Sequence, residues 1–336
     1  MLDPTVSSGA TLAGSAEIRA ERLHKSFGGT IAVRDVSFEV ARGEVIGFLG
    51  PNGAGKSTTL RMVTGVFPPS SGRAFISGHD VVRDAILARR KLGYLPERTS
   101  LYADMAVRDY LRFVADMKQI EAREVSRSVS WAMGAAGIEH VSHRLVGNLS
   151  KGYRQRVGFA QSALGDPSVL ILDEPTSGLD PEQVSDIRAL IRGLGDEKRT
   201  VVLSTHILPE VEMICSRVII LAAGTILAVD APSRLEQRLR PYKEYAARVA
   251  TVDDALLTAL RGIDRVAGAE VEPTKADEET SGLGTRVVVR VEHGVDLRRE
   301  IASAIVGAGA GLLELTPVVM TLEEIFLKLV EESQGR

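Results

Sequence analysis

Cysteine is almost absent from this sequence, in which Cys215 is the only one among 336 residues. A disulfide within the chain and a metal site built from cysteines are therefore excluded, and such cysteine usage suits a reducing compartment. An excess of charge of one sign is also lacking, because the formal net charge is only −3. Charge alone therefore gives no reason to expect general nucleic-acid binding, and we predict no nucleic-acid partner.

Long hydrophobic runs are missing as well. The longest apolar stretch, residues 218–229, contains Ala222-Ala223-Gly224-Thr225 and predicts a turn between two short strands. It falls short of the ~18 apolar residues that a membrane-spanning helix needs. Residues 1–16 have neither the basic start nor the apolar centre of a signal peptide, and we interpret them as a flexible tail. If the protein works at a membrane, another chain must supply the spanning segments.

The most informative segment is a glycine-rich loop between an apolar run and a helix-like run. Residues 44–49 predict a strand, and residues 58–63 predict a helix. The loop between them consists of Gly50, Pro51, Asn52, Gly53, Ala54, Gly55, Lys56 and Ser57, and it is followed by Thr58. A strand, a glycine-rich loop and a helix start in this order form a cradle of backbone N–H groups for phosphate.

Two side chains of this loop carry chemistry of their own. Lys56 can reach the β- and γ-phosphates of a nucleotide, and the Ser57 hydroxyl can coordinate Mg²⁺. The alternative, a chance glycine-rich turn, is less favoured because the strand and the helix lie on the expected sides of the loop. The sequence therefore predicts nucleotide binding together with Mg²⁺.

Two acidic residues and a histidine follow buried strands further along the chain. Asp173 and Glu174 directly follow the apolar run 169–172, and His206 comes shortly after a second apolar run, 201–203. Runs that are apolar on both faces predict parallel strands covered by helices, and ligands bind at the carboxyl edge of such sheets. We predict that Asp173 holds Mg²⁺, that Glu174 orients or deprotonates a water, and that His206 contacts the γ-phosphate. An ordinary strand end and a structural histidine are the less favoured alternatives.

A second helix start has anion-binding character. Ser150 is a candidate N-cap, and Gly152 leaves the backbone of the first turn accessible. A single chain has no need of two phosphate-binding helix starts. We therefore predict that Ser150 and Gly152 close on the phosphate of another subunit.

Composition and periodicity divide the chain into two domains. Residues 17–230 combine alternating antiparallel strands, the phosphate loop and the parallel strands, and residues 97–150 form a helical subdomain in which 104–145 read as helical throughout. Residues 231–336 form an accessory domain with the strand and helix order of a ferredoxin-like fold. The predicted fold class is therefore an α/β P-loop core with an antiparallel β subdomain and a helical subdomain, followed by a small α+β domain.

These features together resemble the ATP-binding subunit of an ABC transporter over residues 18–230. The matching positions are Phe27 (the aromatic that stacks on adenine), residues 50–57 (Walker A), Ser150 and Gly152 (the signature), residues 171–173 (Walker B), Glu174 (the catalytic base), residues 177–180 (the D-loop) and His206 (the switch histidine). The resemblance implies ATP and Mg²⁺ as cofactors, and Asp180 of the D-loop as a further residue of the nucleotide site.

Two segments depart from the pattern of that family. The signature is usually Leu-Ser-Gly-Gly-Gln, and here Lys151 replaces the first glycine and Tyr153 the glutamine. Glu97 stands where a glutamine is usual, and its carboxylate is a further candidate ligand of Mg²⁺. These forms resemble the bacterial ABC-2 type export group.

The resemblance implies a homodimer that hydrolyses ATP and drives export through separate transmembrane permease subunits, at the cytoplasmic face of the membrane. A soluble ABC protein acting on ribosomes or DNA is one alternative, although such proteins usually carry two ATPase halves or long coiled-coil insertions. This chain has one set of motifs and no heptad run. A regulatory protein whose residues 241–336 bind a small ligand is the other alternative. The substrate is not readable, because its recognition lies in the permease.

Overall fold

The computed structural model describes residues 16–194, 199–205, 207–272 and 284–334. These residues form two compact units, which divide between Asp230 and Ala231. Of the predicted tail, only Ala16 belongs to the described residues, where it begins the first strand. His206 lies outside them.

The first unit contains ten strands and seven α-helices among its described residues. The strands are β1 (Ala16–Phe27), β2 (Thr30–Ala41), β3 (Val45–Leu49), β4 (Ser71–Ile76), β5 (His79–Asp80), β6 (Leu92–Leu95), β7 (Val169–Asp173), β8 (Thr200–Ser204), β9 (Arg217–Ala222) and β10 (Thr225–Asp230). The helices are α1 (Lys56–Val63), α2 (Ala85–Lys91), α3 (Val107–Met117), α4 (Ala122–Ala135), α5 (Lys151–Ala163), α6 (Pro181–Leu194) and α7 (Leu208–Ile214).

A six-stranded sheet forms the centre of this unit, in the order β10-β9-β3-β8-β7-β6. Its strands are parallel except for β10, which pairs antiparallel with β9 across the predicted turn. Every residue of β7 and β8 is buried, as the uninterrupted apolar runs predict. The second sheet, in the order β2-β1-β4-β5, is antiparallel, and its β1 and β2 alternate buried and less buried positions.

The segment predicted as helical throughout, residues 104–145, contains two separate helices, α3 and α4, followed by a 3₁₀ turn at Glu139–Val141. The break between α3 and α4 lies at Gln119, whose φ of 58° is left-handed. A non-glycine residue in that conformation cannot continue a right-handed helix. The apolar spacing correctly predicts the buried faces, including Tyr110 and Met133, but not the interruption.

Lys118, just after α3, fixes the far end of α5. Its ammonium donates hydrogen bonds to the backbone oxygens of Gln161, Ser162 and Leu164 at 3.2, 3.3 and 2.9 Å. These carbonyls belong to the last turn of α5 and to its C-cap, where a cation is favourable. Burial lowers the pKa of Lys118 to about 8.

The second unit is a four-stranded antiparallel sheet in the order β12-β13-β11-β14. Its elements are α8 (Pro232–Leu239), β11 (Lys243–Val249), α9 (Asp254–Arg261), β12 (Val266–Val271), β13 (Thr285–Val291), α10 (Arg298–Gly307), β14 (Leu312–Val318) and α11 (Leu322–Gln334). Side chains from α9 and α10 share one apolar core with the inward-facing residues of the sheet, among them Tyr245 and Val289. The order of strands and helices from β11 to β14, which is β-α-β-β-α-β, confirms the ferredoxin-like prediction.

No helix in the described part of the chain combines the length and the apolar character that would let it cross a bilayer.

Candidate functional site

Several of the residues singled out in the sequence meet at one edge of the central sheet. β3, β6, β7 and β8 run parallel, so their carboxyl ends lie side by side. The glycine-rich loop follows β3, Glu97 lies two residues beyond β6, and Asp173 is the last residue of β7. The topology therefore assembles one site from segments that are far apart in the sequence.

The glycine-rich loop ends at Gly55, the N-cap of α1. Gly55 has a φ of 96°, and a β-carbon there would lie 2.7 Å from the backbone oxygen of Ala32 in β2. A side chain is therefore excluded by both the conformation and the close approach. Helix α1 then directs its first backbone N–H groups towards the loop, which is the arrangement that binds phosphate.

The Lys56 side chain lies against its own loop. It is 6% exposed, and its ammonium donates to two backbone oxygens of the loop, Gly50 at 2.6 Å and Pro51 at 3.2 Å. Burial lowers the pKa of the Lys56 ammonium, while the carboxylates of Glu174, Asp173 and Glu97 act to raise it. One buried cation thus lies within the electrostatic influence of three acidic groups.

Asp173 and Ser57 form the candidate metal centre. Asp173 is fully buried, and its Oδ1 accepts a hydrogen bond of 3.3 Å from the Ser57 hydroxyl. Burial raises the pKa of Asp173, and the hydroxyls of Ser204 and Ser57 lower it. Within the described residues, Asp173 Oδ2 has no hydrogen-bond partner of ordinary geometry. A buried, unpartnered carboxylate oxygen beside a hydroxyl is the donor set that Mg²⁺ prefers, so the residues fit that ion.

Glu174 follows Asp173 in a left-handed conformation, with φ 51°. Its backbone N–H donates to the oxygen of Ser204 at 2.8 Å, which ties the end of β7 to the end of β8. The residue is 8% exposed. A non-glycine residue held in this region costs about 1–3 kcal/mol, and such conformations concentrate at functional sites.

Ser204 is a site residue that the sequence analysis missed. Its hydroxyl influences the pKa of Asp173 and its backbone oxygen holds Glu174. The available signal was its place at the carboxyl end of β8, immediately before Thr205 and His206.

Glu97 is exposed, and its charge affects the pKa values of both Lys56 and Asp173. It therefore belongs to the same electrostatic cluster.

Phe27 stands at the end of β1 with half of its surface exposed. Its ring meets Phe67 edge-on at 5.8 Å, and the ammonium of Lys25 lies 5.3 Å from its centre. Phe27 pairs with Thr30, two residues before Ala32, which contacts Gly55. The ring therefore lies on the hairpin that borders the phosphate loop.

The contacts found for the signature and D-loop residues lie away from the phosphate loop. Ser150 is the N-cap of α5, and its hydroxyl accepts a hydrogen bond of 3.4 Å from the Tyr153 N–H. A β-carbon on Gly152 would lie 2.7 Å from Oε1 of Gln183 in α6. Asp180 caps α6 by accepting from the Gln183 N–H at 2.9 Å. The contacts found for Ser150, Gly152 and Asp180 within the described residues thus involve α5 and α6, not the loop 50–57.

Comparison with known proteins identifies the family. Residues 33–177 match the family described as ABC transporter. The bacitracin transport ATP-binding protein BcrA of Bacillus licheniformis is 31% identical over 317 residues, which cover 94% of this chain and 98% of BcrA. The probable multidrug ABC transporter ATP-binding protein YbhF of Escherichia coli (strain K12) is 36% identical over 223 residues, 66% of this chain. This match spans only 38% of the length of YbhF.

A solved structure agrees with these sequence matches. CbiO1 from Clostridium perfringens, described as part of the ABC transporter complex cbiONQ, has a TM-score of 0.59 and 30% sequence identity. The similarity covers 66% of this chain and 90% of that one. BcrA matches nearly the full length of the chain, and the fold agrees with that of CbiO1. Together with the site geometry, these matches show that the chain belongs to the ABC transporter family of ATP-binding subunits.

Proposed function

We propose that this chain is the ATP-hydrolysing subunit of an ABC exporter, and that it works as a homodimer with two nucleotides between the subunits. One observation carries the proposal. Lys56, Ser57, Asp173 and Glu174 assemble at one edge of the central sheet, whereas the contacts of Ser150 lie in α5. The site thus has one assembled half, and its second half is expected from another copy of the chain.

The assembled half supplies binding and proton transfer. The N-terminus of α1 and Lys56 would hold the β- and γ-phosphates, and Phe27 would stack on adenine. Ser57, Asp173 and Glu97 would hold Mg²⁺, which neutralises phosphate charge when bound. Glu174 would take the proton of the attacking water, and His206 would orient the γ-phosphate.

The second half would come from the start of α5. Its first turn presents the backbone N–H groups of a helix N-terminus, and Ser150 beside them is exposed. Against the γ-phosphate of a partner subunit, with Gly152 and Asp180 nearby, these donors would favour a closed dimer with ATP. Loss of the γ-phosphate would remove this attraction, and the dimer would open. Opening and closing is the motion that would drive the permease.

The names of the relatives support transport rather than a ribosomal or DNA-directed role. BcrA is described as a transport ATP-binding protein, and the Nod factor export ATP-binding protein I of Paraburkholderia xenovorans is 37% identical over 220 residues. Export, the permease partner and a place at the cytoplasmic face of the membrane are proposed for this chain on that basis. The transported substrate is left open.

Dimerisation gives the proposal a direct test. We expect the ATPase activity per subunit of the purified chain to rise with protein concentration and to level off once dimers predominate, because a lone subunit holds half a site. The measurement is steady-state phosphate release over a hundredfold range of protein concentration at saturating MgATP. A specific activity that stays constant down to concentrations at which light scattering detects only monomers would contradict the shared site.

A further inference from the structure

Lys151, the residue that stands in place of the usual signature glycine, lies directly on the D-loop. A β-carbon built on Gly178 would lie 2.0 Å from the Lys151 ammonium and 3.4 Å from its Cε. Gly178 has a φ of 66°, a conformation that other residues rarely adopt. The lysine can occupy this place only because position 178 has no side chain.

Two further contacts join α5 to α6, the helix that follows the D-loop. Gly152 packs against the Gln183 side chain at the start of α6. One helical turn later, Arg156 of α5 forms an ion pair of 2.5 Å with Asp186 of α6. The first turns of α5 therefore contact both the D-loop and the helix that follows it.

The segment between Glu174 and Gly178 is a series of tight turns. The Ser177 N–H donates to the oxygen of Glu174 at 3.1 Å, and the Leu179 N–H donates to the oxygen of Thr176 at 3.2 Å. These overlapping turns join Gly178 to Glu174 by a short, hydrogen-bonded path.

We propose that Lys151 is a positioning residue that links the two ATP sites of the dimer. This inference rests on the proposed function, in which the start of α5 serves the nucleotide of the partner while Glu174 serves the nucleotide of its own subunit. Lys151 is the first residue of α5, and its side chain lies on the D-loop that follows Glu174 in the chain. Engagement of the partner's γ-phosphate by α5 would then set the position of the subunit's own base.

The ammonium is available for this contact. Among the described residues, Lys151 has no ion pair or hydrogen bond that would hold it elsewhere. A glycine at position 151, as the family signature usually has, would leave the surface of Gly178 open. The coupling is thus a property that this chain gains by its departure from the family pattern.

The test is a double-mutant cycle on the full-length chain with Lys151→Ala, Gly178→Ala and the double variant. Lys151→Ala removes the contact, and Gly178→Ala expels the lysine from the same place and also strains the backbone at its φ of 66°. This strain is common to Gly178→Ala and the double variant, so it cancels in the cycle. We expect each single variant to lower kcat about tenfold and to bring the Hill coefficient for ATP towards 1, as coupling between sites requires. The double variant should lose little more than Gly178→Ala alone, because the contact that Lys151→Ala removes is already lost there.

Three comparisons make the cycle decisive. Lys151→Arg should retain most of the cooperativity, and Arg127→Ala, which removes an exposed cation of α4, should behave as the parent. The affinity for ATP under conditions where the chain is monomeric should not change. Additive losses, or an unchanged Hill coefficient in Lys151→Ala, would overturn the inference while the proposed function stands. A parent whose activity per subunit does not depend on protein concentration would overturn both.

Discussion

Replacing Glu174 with glutamine is expected to lower the rate of ATP hydrolysis by roughly a hundredfold to ten-thousandfold, the range for loss of a general base. Glutamine keeps the size of the side chain and removes its ability to take a proton. The backbone hydrogen bond to Ser204 and the left-handed conformation should persist, since neither involves the carboxylate. ATP binding should therefore survive, and the ATP-bound dimer should accumulate.

Two measurements check this expectation. Single-turnover phosphate release reports the chemical step, and size-exclusion chromatography with MgATP reports the dimer. Glu323→Gln, the same chemical change at an exposed position of α11, serves as the matched control and should behave as the parent. Hydrolysis by Glu174→Gln at the parent rate would show that another group acts as the base.

Replacing Lys56 with methionine is expected to weaken ATP binding by roughly ten- to a hundredfold, because one charge-assisted hydrogen bond contributes about 1.5–3 kcal/mol. Methionine retains the apolar stem of the buried side chain. It removes the buried cation on which the carboxylates of Glu174, Asp173 and Glu97 act in common. Their repulsion of the phosphates would then be unopposed at that position.

The measurement is equilibrium binding of a fluorescent ATP analogue to the monomeric chain. Lys328→Met removes an exposed cation of α11 and should leave the affinity unchanged. The melting temperature of each variant separates a lost phosphate contact from a lost fold. Unaltered affinity in a folded Lys56→Met variant would contradict the role of the loop in phosphate binding.

The parts of the site that sequence reasoning captured are those set by local rules. The loop 50–57 is defined by glycine spacing between a strand and a helix, and the buried character of β7 and β8 is visible as apolar runs. Parallel strands have a common carboxyl edge, so the meeting of Asp173 with Ser57 followed from topology. The wrong prediction of one helical stretch over 104–145 came from a left-handed residue, Gln119, that no strong turn signal marks.

The parts that could not be predicted depend on contacts across the chain. Lys118 is an ordinary lysine in the sequence, and only the fold places its ammonium on the last carbonyls of α5, 43 to 46 residues away. The contact between Lys151 and Gly178 likewise joins the start of α5 to the D-loop, which neither local pattern connects. Specific pairs of this kind are fixed by packing, and periodicity carries no information about them.

The claim on which the account rests is that each ATP is held by two copies of the chain. The most direct measurement mixes the variants Lys56→Met and Ser150→Phe, each of which damages a different half of the site, at an ATP concentration that saturates the parent and leaves Lys56→Met nearly empty. A mixed dimer has one intact site, built from Lys56 of one subunit and Ser150 of the other. In an equimolar mixture, half of the dimers are mixed and each of these has one intact site of two. The ATPase activity should therefore rise to about a quarter of the parent value, less the loss that coupling between the two sites imposes. A mixture that is no more active than its separate components would place both halves of the site in one chain and contradict the account.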